Sequence, residues 1–148
     1  MSNSRRATSR KRVQYAALPY RFNGHAQPEV MLVTSRGTRR WIIPKGWPHK
    51  GKTPGRSAAR EAFEEAGVLG AISRRSIGSF SYDKRLKKGG IVRCEVRVFG
   101  LEVKHQRKVW PEQREREVRW LSARAAARRV REPTLSAIIR RLASTSKA

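Results

Sequence analysis

Acidic residues are scarce in this chain: 11 Asp+Glu stand against 35 Lys+Arg in 148 residues, a formal net charge of +24. Cysteine is nearly absent. The single residue, Cys94, excludes a disulfide framework and a cysteine-based zinc cluster. No stretch approaches the roughly 20 apolar residues of a membrane-spanning helix. Hydrophobic residues make up only 38%, below the usual share for a globular domain but enough to enclose a core. The length predicts one compact domain. A lone thiol suits a reducing compartment, and the cytoplasm is the expected location.

What is abundant is positive charge, which repels itself and calls for anionic partners. Three partners fit: nucleic acid, an anionic membrane surface, or a densely charged phosphate compound. Charge alone favours nucleic acid, yet nothing resembles a zinc finger, a basic zipper or an aromatic RNA-binding signature. The few acids are therefore the informative set. Glu61, Glu64 and Glu65 fall within five residues, Glu112, Glu115 and Glu117 cluster near the end, and the others are scattered singly.

Residues 1–12, MSNSRRATSRKR, hold five basic residues and no apolar period, and read as a mobile basic arm. An Arg/Ser-rich, acid-poor start also resembles an organelle transit peptide, but it lacks an apolar face. The domain is expected over 13–143, with a frayed tail at 144–148. Strands are expected at Val13–Tyr20, Glu29–Thr34, Trp41–Ile43, Ala71–Tyr82, Gly90–Val103 and Val118–Leu121. In Gly90–Val103, Val92, Cys94, Val96 and Val98 alternate with charged residues, so Cys94 reads as core. Pro44–Gly55, rich in proline and glycine, reads as loop, and Asp83–Gly90 as a mobile basic loop. Helices are expected at 122–130 and 133–142, broken at Pro133. There are no internal repeats and no linker able to split the domain.

A further helix is expected from Pro54 to about Ala66. Thr53 stands where an N-cap belongs, Pro54 at the first helical position and Gly67 as the stop. On a wheel of about 100° per residue, Glu61, Glu64 and Glu65 share an arc of about 100°, beside an apolar arc of Ala58, Ala59, Ala62, Phe63 and Ala66. A solvated acidic face is the plain reading. It is weakened because Glu61 and Glu65, at i,i+4, repel each other by tenths of a kcal/mol. Packed carboxylates in so basic a chain point to a hard divalent cation, for which oxygen ligands suit Mg²⁺ or Mn²⁺.

From Gly46 the chain reads GWPHKGKTPGRSAAREAFEEAGV. This resembles the Nudix hydrolase signature: Gly, five residues, Glu, seven residues, Arg-Glu, an aliphatic, any residue, Glu-Glu, any residue, Gly, an aliphatic. Gly46, Arg60, Glu61, Glu64, Glu65, Gly67 and Val68 match. Ala62 matches weakly, and Lys52 replaces the first glutamate. In the family that glutamate pairs with the signature arginine. Here Arg60 is left to Glu64 or to an acid elsewhere, or Lys52 contacts a phosphate. The run RWIIPKGWPHK before the helix, the EEAGV that ends it and the later VRWL resemble the diphosphoinositol polyphosphate phosphohydrolase branch.

The resemblance implies an α/β class fold (α+β), an α/β/α sandwich with a mixed sheet and a loop–helix–loop motif. It implies hydrolysis of a diphosphate linkage in a highly anionic substrate, such as a diphosphoinositol or dinucleoside polyphosphate. Mg²⁺ (or Mn²⁺) would be held by Glu61, Glu64 and Glu65, with Gly46 adding its backbone carbonyl. Glu65 and Glu61 are the first candidates for the base, and Glu117 is a third, although it also reads as a surface residue paired with Arg116 or Arg119. The implied phosphate-holding positions are Arg10, Lys11, Arg12, Ser35, Arg36, Arg40, Lys45, Lys84 and Arg85. His49 reads as a surface residue, Trp41 as core, and Trp47 as either core or platform. Two alternatives stand beside this reading: an RNA 5′-pyrophosphohydrolase of the decapping type, and a non-catalytic anion-binding module.

Overall fold

The computed structural model describes residues 12–24 and 26–145. Strand β1 (Arg12–Arg21) is followed by β2 (Glu29–Thr34), β3 (Trp41–Ile42) and β4 (Lys45–Gly46). Helix α1 (Pro54–Ala66) leads into β5 (Val68–Ile72), β6 (Gly78–Arg85), β7 (Ile91–Gln106) and β8 (Val118–Ser122). Helices α2 (Ala123–Arg129) and α3 (Pro133–Ala143) close the domain.

Among the described residues the strands form one mixed sheet of eight strands. Its spine is β1 running parallel to β7, in register from Arg12↔Cys94 to Tyr20↔Glu102. The other edge of long β7 carries β6 and then β5, both antiparallel. On the far side β1 pairs with β2, and β2 with β3 and β8.

Alternation along the strands splits the core into two layers. Ala16, Leu18, Val30, Leu32, Val96 and Val98 face α2 and α3. Ala17, Met31, Val33, Phe99 and Leu101 face Ala58, Ala62 and Ala66 of α1. Strands buried on both faces read as continuous apolar runs, which is why EVMLVT shows no polar alternation. The layers make the expected α/β/α sandwich. Cys94 is buried, and burial raises its thiol above the ordinary value, so it is packing rather than a nucleophile.

The ends of α1 follow from its sequence. The Thr53 hydroxyl accepts from the Arg56 backbone N–H at 3.2 Å, and Pro54 starts the helix. Gly67 stops it at φ 73°, where its N–H returns to Phe63 O. A Cβ on Gly67 would lie 2.4 Å from the Trp110 ring, so the site excludes any side chain.

Four expectations need correction. Arg12, assigned to the arm, opens β1. Ala71–Tyr82 is not one strand but the end of β5 and the start of β6. The break comes at Ser73–Ile77, where the Ser73 and Ser76 hydroxyls bond local backbone carbonyls instead of leaving them to a ladder. Pro44–Gly55 is not all loop, because Lys45 and Gly46 pair with Ala16 and Tyr15 of β1. Asp83–Arg85, expected in a loop, belong to β6 and pair with Ile91–Arg93. Residues 1–11 of the arm and 146–148 of the tail lie outside the described residues.

Candidate active site

Strands β1 and β4, the turn after β2, α1 and the segment before β8 surround a cavity of about 570 Å³. Its lining carries both signs of charge: Glu61, Glu65 and Glu112 together with Arg36, Lys45, Lys84 and Arg116.

Helix α1 delivers Glu61 and Glu65 one turn apart. Glu65 is only 4% exposed, and one of its carboxylate oxygens, Oε1, is buried with no hydrogen-bond partner. Burial pushes its pKa up to about 9. Arg116 opposes that shift, and neighbouring Glu61 reinforces it. An acid held protonated by its surroundings is one that a cation would ionise.

Glu61 packs against β4. A Cβ on Gly46 would lie 2.4 Å from the Glu61 carboxyl carbon, so only glycine lets this carboxylate reach the strand. His49 Nε2 lies 2.7 Å from Glu61 Oε2 and fixes its orientation. The surface reading of His49 is thus overturned: its ring lines the cavity. The signal was present in its position, in the loop that must fold back on the acidic helix.

Arg116 was overlooked. Its side chain is 8% exposed, and Nε donates to Glu112 Oε1 at 2.8 Å while Nη1 donates to Thr34 O at 3.1 Å. Nη2 stands 3.7 Å from Glu65 Oε2. It ties the segment before β8 to both the sheet and the acidic helix. Glu112 was visible in the second acid cluster, but Glu117 was singled out instead. Glu117 is exposed on the other side of Arg116, and its backbone bonds to Thr34.

The acidic trio is not assembled as expected. Glu64 turns away to Arg60 Nε at 2.7 Å, one of the pairings left open when Lys52 replaced glutamate. Among the described residues no three His, Cys, Asp or Glu side chains converge as a ready-made metal cage. The structure brings Glu61 and Glu65 together with Gly46 and leaves Glu64 and Arg60 outside the cavity lining.

Of the expected phosphate-holding residues, Ser35, Arg36, Lys45 and Lys84 line the cavity. Arg36 is tied to Glu115 at 2.8 Å, and burial lowers the Lys45 ammonium to about 8. Arg12, Arg40 and Arg85 do not line it. Arg40 instead pairs with Glu132 at 3.0 Å, which anchors the β2–β3 turn to the start of α3. Arg10 and Lys11 lie outside the described residues. Trp47 is 38% exposed at the cavity mouth, whereas Trp41 packs on the core as expected.

Comparison with known proteins follows the same lines. A family model described as NUDIX domain matches residues 10–142. Nudix hydrolase 13, mitochondrial, of Arabidopsis thaliana is 33% identical over 106 residues, 66% of this chain and 51% of that protein. Diphosphoinositol polyphosphate phosphohydrolase 3-beta of Bos taurus is 42% identical over 67 residues, 45% of this chain and 40% of that one. The chain thus spans about half the length of these curated relatives. Among solved structures, a C. elegans Ap4A hydrolase superposes with a TM-score of 0.64 at 15% identity, covering 91% of this chain and 98% of that one, a likeness of fold. With a match that runs from before β1 into α3, the chain belongs to the NUDIX domain family.

Proposed function

We propose that this chain is a Mg²⁺-dependent hydrolase of a diphosphate linkage in a highly anionic substrate, of the diphosphoinositol or dinucleoside polyphosphate kind. The observation that carries the reading is the partnerless oxygen of Glu65, buried in a cavity that Arg36, Lys45, Lys84 and Arg116 also line. A buried carboxylate oxygen without a donor is costly unless a cation meets it.

Glu61 and Glu65, with the carbonyl of Gly46, are the residues that would hold the metal, and Mn²⁺ suits the same oxygen donors. When bound, the ion supplies positive charge to the phosphate oxygens and makes water more acidic. The chain's own residues do the rest. His49 orients the Glu61 carboxylate. Arg36, Lys45 and Lys84 offer donors to the phosphates, arginine as a planar fork and lysine as a point charge. Glu112, held through Oε1 by Arg116, keeps its other oxygen for the proton that water loses. Ser35 sits beside Arg36 on the cavity wall and adds a hydroxyl donor. The names of similar proteins, an inositol-directed phosphohydrolase and an Ap4A hydrolase, support the substrate class. The single buried thiol suits the cytoplasm.

The test is phosphate release from a panel of diphosphoinositol polyphosphates, dinucleoside polyphosphates and inorganic polyphosphate, with Mg²⁺ and with Mn²⁺. Turnover of one class that vanishes on chelation is expected. No turnover of any member with either metal overturns the reading.

A further inference from the structure

The outer face of α1 is basic where helix physics disfavours it. Lys52 and Arg56 stand at the N-terminal end, where the helix dipole is positive, and the first turn holds no acid. Arg56 and Arg60 repel each other at i,i+4. Arg60 has Glu64, but among the described residues Lys52, Arg56 and Arg107 have no acidic partner within ion-pair distance. These four cations line a groove of about 420 Å³ floored by Phe63 and Leu69, which is 37% exposed. The Arg60 guanidinium lies 5.5 Å from the Phe63 ring centre.

A second groove, of about 530 Å³, begins on the other side of Arg56. It carries Arg74, Arg75 and Arg97 over Ile72 and Phe99. Only Arg97 among these has an acid nearby, Glu95 at 3.8 Å. Because Arg56 belongs to both grooves, they form one track around the start of α1, each half with cations at the rim and an apolar floor. A small anion needs cations converging on one point. A track of spaced cations over apolar floors suits a chain with phosphates at intervals and flat apolar groups between them.

A third basic groove shows the contrast. Arg124, Arg128 and Arg140 surround Ala143 and Ser144 between α2 and α3. Arg128 and Arg140 occupy last helical turns, where the dipole favours cations, and the groove has no aromatic floor. Two of its three cations thus have a structural explanation, Arg124 at the start of α2 being the exception, whereas the α1 groove adds an aromatic floor.

We propose that the outer face of α1 is a binding track for single-stranded nucleic acid. The phosphodiester backbone lies on Lys52, Arg56, Arg107 and Arg74, and a base rests against Phe63 and Leu69. The track lies outside the catalytic cavity and needs no metal, so it stands or falls apart from the hydrolase reading.

The test is fluorescence anisotropy of a short labelled oligouridylate with protein in EDTA, across a salt series. The triple charge reversal K52E/R56E/R107E is expected to weaken binding at least ~10-fold and to flatten the log–log salt slope by about two, three lost contacts at ~0.7 each. The milder R56Q/R107Q pair should move both readings the same way, with an unchanged melting temperature. The matched reversal R124E/R128E/R140E should cost clearly less. Phe63→Leu keeps an apolar floor but removes the ring, and should weaken oligouridylate about 5-fold while sparing inorganic polyphosphate. Equal losses from the two triple reversals would mean diffuse attraction to a chain of charge +24 and would overturn the proposal. An unchanged oligouridylate affinity in Phe63→Leu would assign the track to a bare polyanion and overturn it as well.

Discussion

One helix separates two opposite electrostatic problems. The inner face of α1 puts Glu61 and Glu65 at the edge of a core made by Ala58, Ala62 and Ala66. The outer face puts Arg56 and Arg60 in water beside Lys52. Like charges repel on both faces, yet the costs differ in kind. Exposed cations are screened and lose tenths of a kcal/mol. A buried carboxylate loses its hydration, and its pKa rises until it holds its proton. Destabilising charge kept in water points to a function only with a second observation beside it, here the apolar floor of Phe63 and Leu69, whereas charge kept out of water points to one by itself.

The largest expected effect is on the inner face. Glu65→Gln keeps the shape of the side chain and removes the ionisable oxygen. Turnover should fall ~1000-fold, about 4 kcal/mol of barrier. Metal-free stability should move the other way. A carboxyl raised from 4.5 to about 9 on folding adds stability that is fully present below 4.5 and lost as pH rises through 9. Lys45, lowered to about 8, responds in the opposite sense and partly masks this in the wild type. The difference between variant and wild type isolates Glu65. In EDTA the variant should gain on the wild type steadily from pH 5 to 9, checked by urea midpoints. A variant that is no more stable at pH 9 than at pH 5, relative to wild type, would contradict the assignment of a buried neutral acid.

Next in size is Arg116→Met, which keeps an apolar stem in the same space. It strips the cation from Glu65 and Glu112 and a donor from Thr34 O. Leaving buried acceptors unpaired should cost about 3 kcal/mol by chemical denaturation. Because Arg116 holds down the pKa of Glu65, its loss raises that pKa further. The alkaline shift this implies belongs in metal binding, where the proton and Mg²⁺ compete for Glu65: at a fixed, subsaturating Mg²⁺ concentration the rising limb of the pH–rate profile should move to higher pH. A profile that stays in place would show that Arg116 acts on the fold alone.

These two residues also mark how far the sequence was legible. Helix α1 was readable to its caps because Thr53, Pro54 and Gly67 act locally, through hydrogen bonds and torsion angles that neighbours in the chain determine. The strands of the spine were readable because period and burial leave a direct trace in residue type. Glu65 was readable through its spacing from Glu61. Arg116 was not, because two of its three partners, Thr34 and Glu65, are far away in the chain and reach it only in the fold, and Glu112 alone is local. Lys45 and Gly46 were hidden in a proline- and glycine-rich stretch because their strand exists only through β1. Glu64 was misplaced for the opposite reason. The wheel put it with its neighbours correctly in angle, but a local partner four residues back turned the carboxylate outward.

A smaller effect belongs to His49. His49→Gln keeps a donor near Glu61 but loosens the 2.7 Å contact. As a residue that positions a candidate metal ligand, it should cost ~10-fold in apparent Mg²⁺ affinity with a smaller change in the rate at saturating metal. Magnesium titration of activity separates the two. A fall in saturated rate without a change in affinity would give His49 a role in proton transfer instead.

The smallest effect returns to the outer face and links it to the inner one. Lys52 and Arg60 line the same groove, and Arg60 holds Glu64 at 2.7 Å out of the cavity. Lys52→Glu replaces a repulsion with an attraction at a position where Arg60 is half exposed, so the gain in stability should be only about 0.5 kcal/mol. The consequence for Glu64 is the sharper reading. A second carboxylate competing for one guanidinium weakens its hold on the first, and the freed Glu64 lies one residue from Glu65. Magnesium affinity should therefore rise by a few-fold, about the same free energy as the pair itself. The substitution also removes a cation from the outer track, so oligouridylate binding should weaken while metal binding tightens. Opposite movements of the two affinities in one variant would show that the two faces of α1 are coupled through Arg60. If metal affinity stays constant while stability rises, Glu64 is indifferent to Arg60 and the faces are independent.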